Sequence, residues 1–109
     1  MTNALDDLVA ALEEGETVEA LVFGPWGWGS WNPPGNLEAP PRGKVMTLAE
    51  AAPFMQGWRI RGGYGSPECF AIYIWTDRRV LWVTQYDGST RLDSAPRNPL
   101  ACIPEMPGG

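Results

Sequence analysis

Residues 69–94, CFAIYIWTDRRVLWVTQYDGSTRLDS, decide the fold. Two runs of β-branched and aromatic residues, 69–75 and 80–86, flank a turn at Thr76-Asp77-Arg78-Arg79, and Asp87-Gly88 follows the second run. Such side chains suit a pleated, half-buried surface. Asp-Gly is a strong hairpin signal, because a type I′ turn needs positive φ at both central residues. With 87 and 88 at the centre of that turn, 86 faces 89, 84 faces 91 and 83 faces 92. An even loop at 76–79 sets 75 against 80, 73 against 82 and 72 against 83. Directly opposed residues share a face of the sheet. One face then carries Phe70, Ile72, Ile74, Leu81, Val83 and Leu92. The other carries Ala71, Tyr73, Trp75, Val80, Trp82, Thr84, Tyr86 and Arg91. A slip of one residue would mix the two sets, so the clean sorting supports the register. The first face reads as an aliphatic core. The second is aromatic: either a loop or helix folds over it as a second small core, or it is open and binds a partner protein, a base or a second copy.

Outward from this unit, residues 3–14 read as a helix. Leu5, Leu8, Val9 and Leu12 follow the spacing of one buried stripe, Asn3 or Thr2 can cap the start, and Gly15 fits the left-handed position after the end. Residues 17–23 read as a strand. Residues 24–43 hold Trp26, Trp28 and Trp31 among dense Gly and Pro, which predicts an irregular loop. Thr47-Leu48-Ala49-Glu50 fits a capping box for a short helix over 47–55, kinked or stopped by Pro53. Residues 56–61 (QGWRIR) read as a further strand. The expected fold class is α+β, an antiparallel sheet of about four to five strands with an N-terminal helix and a second short helix. It forms a single domain over 1–109: an acidic helix at 1–15, a Gly/Pro/Trp-rich loop at 24–43, a sheet core at 56–94 and an irregular tail at 95–109.

Composition narrows the chemistry. The 109-residue chain has no histidine. That excludes Ser-His-Asp and Cys-His nucleophiles, His-based metal sites and imidazole acid–base work. Cys69 and Cys102 form no CxxC, so no zinc knuckle or redox motif is expected, and the two read as inert thiols. The glycines at 24, 27 and 29 and at 62, 63 and 65 lack the lysine and the strand–helix context of a phosphate loop. Asp77 and Asp87 are accounted for by turn chemistry. No enzyme, cofactor or metal site is expected. The first 19 residues lack a basic and apolar leader, and no apolar run is long enough to span a bilayer, so the expected place is the cytoplasm, away from membranes.

Thirteen acids against eight bases give a net charge of -5. That balance disfavours direct nucleic-acid binding, which needs surplus Lys and Arg against phosphates. The surplus sits in the first twenty residues, which hold six acids and no base. Asp6, Asp7, Glu13 and Glu14 are therefore candidates for an acidic docking surface facing a basic partner. Tyr73, Trp75, Trp82, Tyr86 and Arg91 are candidates for an aromatic contact face, and Trp26, Trp28 and Trp31 for contacts from the loop. Seven arginines against one lysine suit stacked or bidentate contacts. Trp58 and Tyr64, with Arg59, Arg61, Arg78 and Arg79, extend the aromatic and cationic set and open an alternative, stacking of a nucleotide.

The stretches Tyr73-Ile74-Trp75-Thr76-Asp77-Arg78-Arg79-Val80, Tyr86-Asp87-Gly88-Ser89, Pro96-Arg97-Asn98-Pro99 and the Pro107-Gly108-Gly109 end resemble small proteins encoded in phages and prophages. The resemblance covers residues 47–109. In its short, acidic, non-catalytic profile the chain is similar in type to anti-CRISPR and other anti-defence inhibitors. That resemblance implies a non-enzymatic protein that inhibits a basic host defence complex, in the host cytoplasm. A nucleotide sponge and a self-associating phage assembly protein are the alternatives.

Overall fold

The computed structural model describes residues 3–27, 29, 33–62, 67–86, 89–99 and 101–104, with only the backbone of Tyr86. Its regular elements are α1 (Ala4–Ala11), β1 (Val18–Trp26), α2 (Leu48–Ala51) continued by a 3-10 turn (Ala52–Met55), β2 (Phe70–Thr76), β3 (Arg79–Tyr86) and β4 (Ser89–Pro96). The strands form one antiparallel sheet in the order β1-β2-β3-β4. The fold class is α+β, as the sequence predicts.

The derived register holds pair by pair. Tyr73 faces Trp82, Trp75 faces Val80, Thr84 faces Arg91 and Val83 faces Leu92. The aliphatic face is the core: Phe70, Ile72, Ile74 and Leu81 are buried, and Val83 and Leu92 pack against them. Ala4 and Leu8 of α1 join the same cluster, as do Met55, Trp58 and Ile60. Each fully buried aliphatic side chain contributes about 1.5–3 kcal/mol.

Both predicted caps are present. The Asn3 side chain accepts from the Asp6 amide, and the Asp6 carboxylate accepts from Asn3. Thr47 and Glu50 do the same for α2. Pro53 falls in the 3-10 turn, where α2 tightens and ends.

Four expectations are corrected. The strand predicted over 17–23 runs on to Trp26, through Gly24 and Pro25. Its place at the sheet edge tolerates the proline, and the register shifts between Phe23 and Trp26. A Cβ on Gly24 would lie 3.2 Å from that of Ala71, so the missing side chain permits the approach. The loop predicted over 24–43 therefore starts later. Its far end returns to β1, where Leu21 and Met46 exchange two backbone bonds of 2.9 Å and Gly43 donates to the Phe23 carbonyl. That return covers part of the exposed edge. Residues 56–61 form no strand, because the amides of Ile60 and Arg61 go to the Asp7 carboxylate, leaving only an isolated bridge between Gly62 and Thr90. The helix predicted to 14 ends at Ala11, and Val9 lies exposed. The Ala11 carbonyl accepts instead from Arg79 Nη2 at 2.6 Å.

Candidate contact surface

Two of the six acids in the acidic segment, Asp7 and Glu16, are turned inward. Asp7, expected on a docking surface, is buried, and its Oδ2 accepts from the amides of Ile60 at 2.9 Å and Arg61 at 3.1 Å. It ties α1 to the segment before β2. Glu16 is buried as well. It takes Arg79 in two contacts of 2.7 and 2.8 Å and the Thr76 hydroxyl at 2.6 Å. Glu19 pairs with Arg97, and Glu13 approaches Arg78 at 3.8 Å. Exposed pairs of this kind contribute little to stability. Asp6 serves as the capping carboxylate of α1. Of the four acids expected to dock a basic partner, Asp7 is excluded by burial, and Asp6, Glu13 and Glu14 remain exposed.

The Glu16–Arg79 pair has a pH consequence. The Arg79 guanidinium, bonding directly to the carboxylate, holds Glu16 at about 2, below its ordinary 4.5, against the opposing effect of burial. A carboxylate depressed in the folded state stabilises above its unfolded value, and that stability is lost as pH falls through the folded value. Stability is therefore expected to drop between about pH 4.5 and about pH 2. Glu16→Gln is expected to be less stable at neutral pH and to show a flatter acid limb in urea titrations across that window. An unchanged acid limb would remove Glu16 as its source.

The loop tryptophans divide. Trp26 is a core residue rather than a loop contact, 8% exposed. Its ring meets Phe70 edge-on at 5.0 Å and Trp58 at 6.5 Å. Trp58 is likewise core and is no stacking platform, since its ring also meets Phe23 and Phe70. Arg79, a candidate phosphate partner, is engaged by Glu16. Trp28, Trp31 and Tyr64 lie outside the described residues, as does the side chain of Tyr86. Cys69 is free and buried, and desolvation pushes its thiol up to about 12, so it is no thiolate nucleophile at neutral pH. Cys102 is free and exposed. Among the described residues no cluster of His, Cys, Asp or Glu could hold a metal ion, and no helix is long and apolar enough to cross a membrane.

What the structure does bring together is the second face of the sheet. Tyr73 is 56% exposed, Arg91 is exposed, and Trp75, Trp82 and Thr84 are half-buried. Tyr73 and Trp75 meet edge-on at 6.0 Å. The described helices contribute to the core on the opposite face. The sequence reading missed that β1 extends this face: Val22 lies directly beside Tyr73, and Ala20 beside Trp75. Between the rings, Val22, Gly24, Pro25 and Ala71 help to line a cleft of about 310 Å³. The bridge from Leu21 to Met46 puts Val45, 69% exposed, level with Val22, so an apolar strip crosses the sheet. Exposed apolar strips on a soluble domain mark interaction sites.

No protein-family model, curated protein or solved structure matches this chain.

Proposed function

We infer that this chain is a non-enzymatic binding protein whose contact surface is the aromatic face of the sheet. The observation that carries the reading is Tyr73, more than half exposed on an inner strand of the sheet and directly paired with Trp82, whose strand is in turn paired with that of Arg91. Tyr, Trp and Arg are the side chains on which protein interfaces concentrate their binding energy, and a sheet holds them in place at little entropic cost. The resemblance of residues 47–109 to small phage proteins supports a narrower reading, an inhibitor of a host defence complex acting in the host cytoplasm. Its acidic component is reduced to Asp6, Glu13 and Glu14.

The test is plating of a restricted phage on cells that each carry one defence system and express this chain. Restored plating on one system, lost with Trp82→Ala and weakened with Glu14→Lys, is the expected result. No restoration on any system would sink the inhibitor reading. Retained activity in both Tyr73→Ala and Trp82→Ala would move the contact surface elsewhere.

The cleft volume, at the low end for small-molecule sites, favours a second reading, a ligand stacked between Tyr73 and Trp82. Thermal-shift screening against nucleotides, cyclic oligonucleotides included, checks it. A stabilisation lost with Trp82→Ala would support it, and no shift from any member would discard it.

A further inference from the structure

The open face carries two rows of side chains running across the strands. One row is Val22, Tyr73, Trp82 and Asp93, joined by direct cross-strand pairs. The other lies two residues along each strand and is Gly24, Ala71, Thr84 and Arg91. The level between them, with Ile72 and Val83, points to the core. On each of the first three strands a large side chain stands next to a small one. On β4 an acid stands next to a base. Within these two rows only Arg91 and Asp93 are charged, and neither has a described ion-pair partner.

This arrangement is self-complementary. A two-fold axis lying across the strands at the level of Ile72 and Val83 exchanges the two rows. It sets Tyr73 of one chain over Ala71 of the other, Trp82 over Thr84, Val22 over Gly24 and Asp93 over Arg91. The cleft above Gly24 and Ala71 then receives the partner's tyrosine ring. The geometry points to a second copy of this chain as the occupant of the face, in an isologous face-to-face dimer. Charge decides for this occupant. A uniformly acidic or basic partner meets one like charge on β4, whereas a second copy meets both charges with their opposites. The inference rests on the aromatic face being a protein-contact surface, and it names the first protein that the face contacts.

Sedimentation equilibrium from low to high micromolar concentration tests it. The chain is expected to pass from monomer to dimer. Arg91→Asp places acid over acid and Asp93→Arg places base over base, and each is expected to weaken self-association by about tenfold or more. Mixed together, the two singly substituted chains present opposite charges at both positions and are expected to form a one-to-one heterodimer. Circular dichroism confirms that each variant is folded. Should Asp93→Arg fail to fold, Ala71→Leu fills the cleft from its floor and is expected to weaken association to the same degree. A wild-type chain that stays monomeric at high micromolar concentration overturns the dimer, as does a mixture that stays monomeric. A monomer that still loses phage rescue with Trp82→Ala overturns the dimer and leaves the contact-surface reading standing.

Discussion

Trp58→Ala is expected to lower the stability of the folded chain by about 4 kcal/mol, the range for truncating a buried large aromatic residue. The indole sits where three elements of the core converge. Its ring meets Phe23 of β1 at 6.3 Å, Trp26 at 6.5 Å and Phe70 of β2 at 5.3 Å, all edge-on. Its Nε1 donates to the Phe54 carbonyl in the 3-10 turn. Truncation leaves a cavity among three aromatic rings and an unpaired carbonyl. Domains of this size have stabilities of only about 5–15 kcal/mol, so the variant stands near the folding threshold. Urea unfolding followed by far-UV circular dichroism checks it. A loss under about 1 kcal/mol would mean that the cluster repacks around the gap, and the centre of the core would have to be sought elsewhere.

The second large effect is expected at Asp7. Asp7→Ala is expected to cost about 3 kcal/mol, because one carboxylate oxygen satisfies both the Ile60 and the Arg61 amides and the bond to Ile60 is buried. Glu14→Lys, at an exposed position of the same acidic segment, is expected to change stability by less than about 0.5 kcal/mol. The contrast separates the two roles that the acidic segment combines. Equal, small effects at both positions would restore Asp7 to the surface and undo the tie between α1 and the segment before β2. Stability curves of the two variants at neutral pH decide between these outcomes.

The hairpins from β2 to β4 were legible because their information is local. Turn chemistry at Asp87-Gly88 and period-two alternation set the register, and both signals lie within a few residues of the strands they order. Asn3 and Thr47 were legible for the same reason, each cap being satisfied three residues away. What escaped was the pairing of polar groups over long separations. Asp7 reaches residues 60 and 61, and Glu16 reaches Thr76 and Arg79. Nothing local distinguishes Asp7 from the exposed Glu13 and Glu14, so the three read alike as surface charge. Gly24-Pro25 misled for a related reason. Those residues break a central strand but not an edge strand, and only the tertiary order of strands places β1 at an edge. The same misreading left Gly24 out of the strand, while Val22 lay within the predicted strand but its place beside Tyr73 depends on a long-range pairing. The aromatic composition of that face was readable from 73, 75 and 82. Whether it was covered was not, since cover depends on where the helices pack.

The most direct test of the open face is the stability of Tyr73→Ser, measured by urea unfolding at low micromolar concentration. Tyr73 is 56% exposed and no described residue covers it, so the variant is expected to unfold within about 0.5 kcal/mol of the original chain. A loss of about 3 kcal/mol would show the ring to be packed in a second core, and the aromatic face would then not be a contact surface.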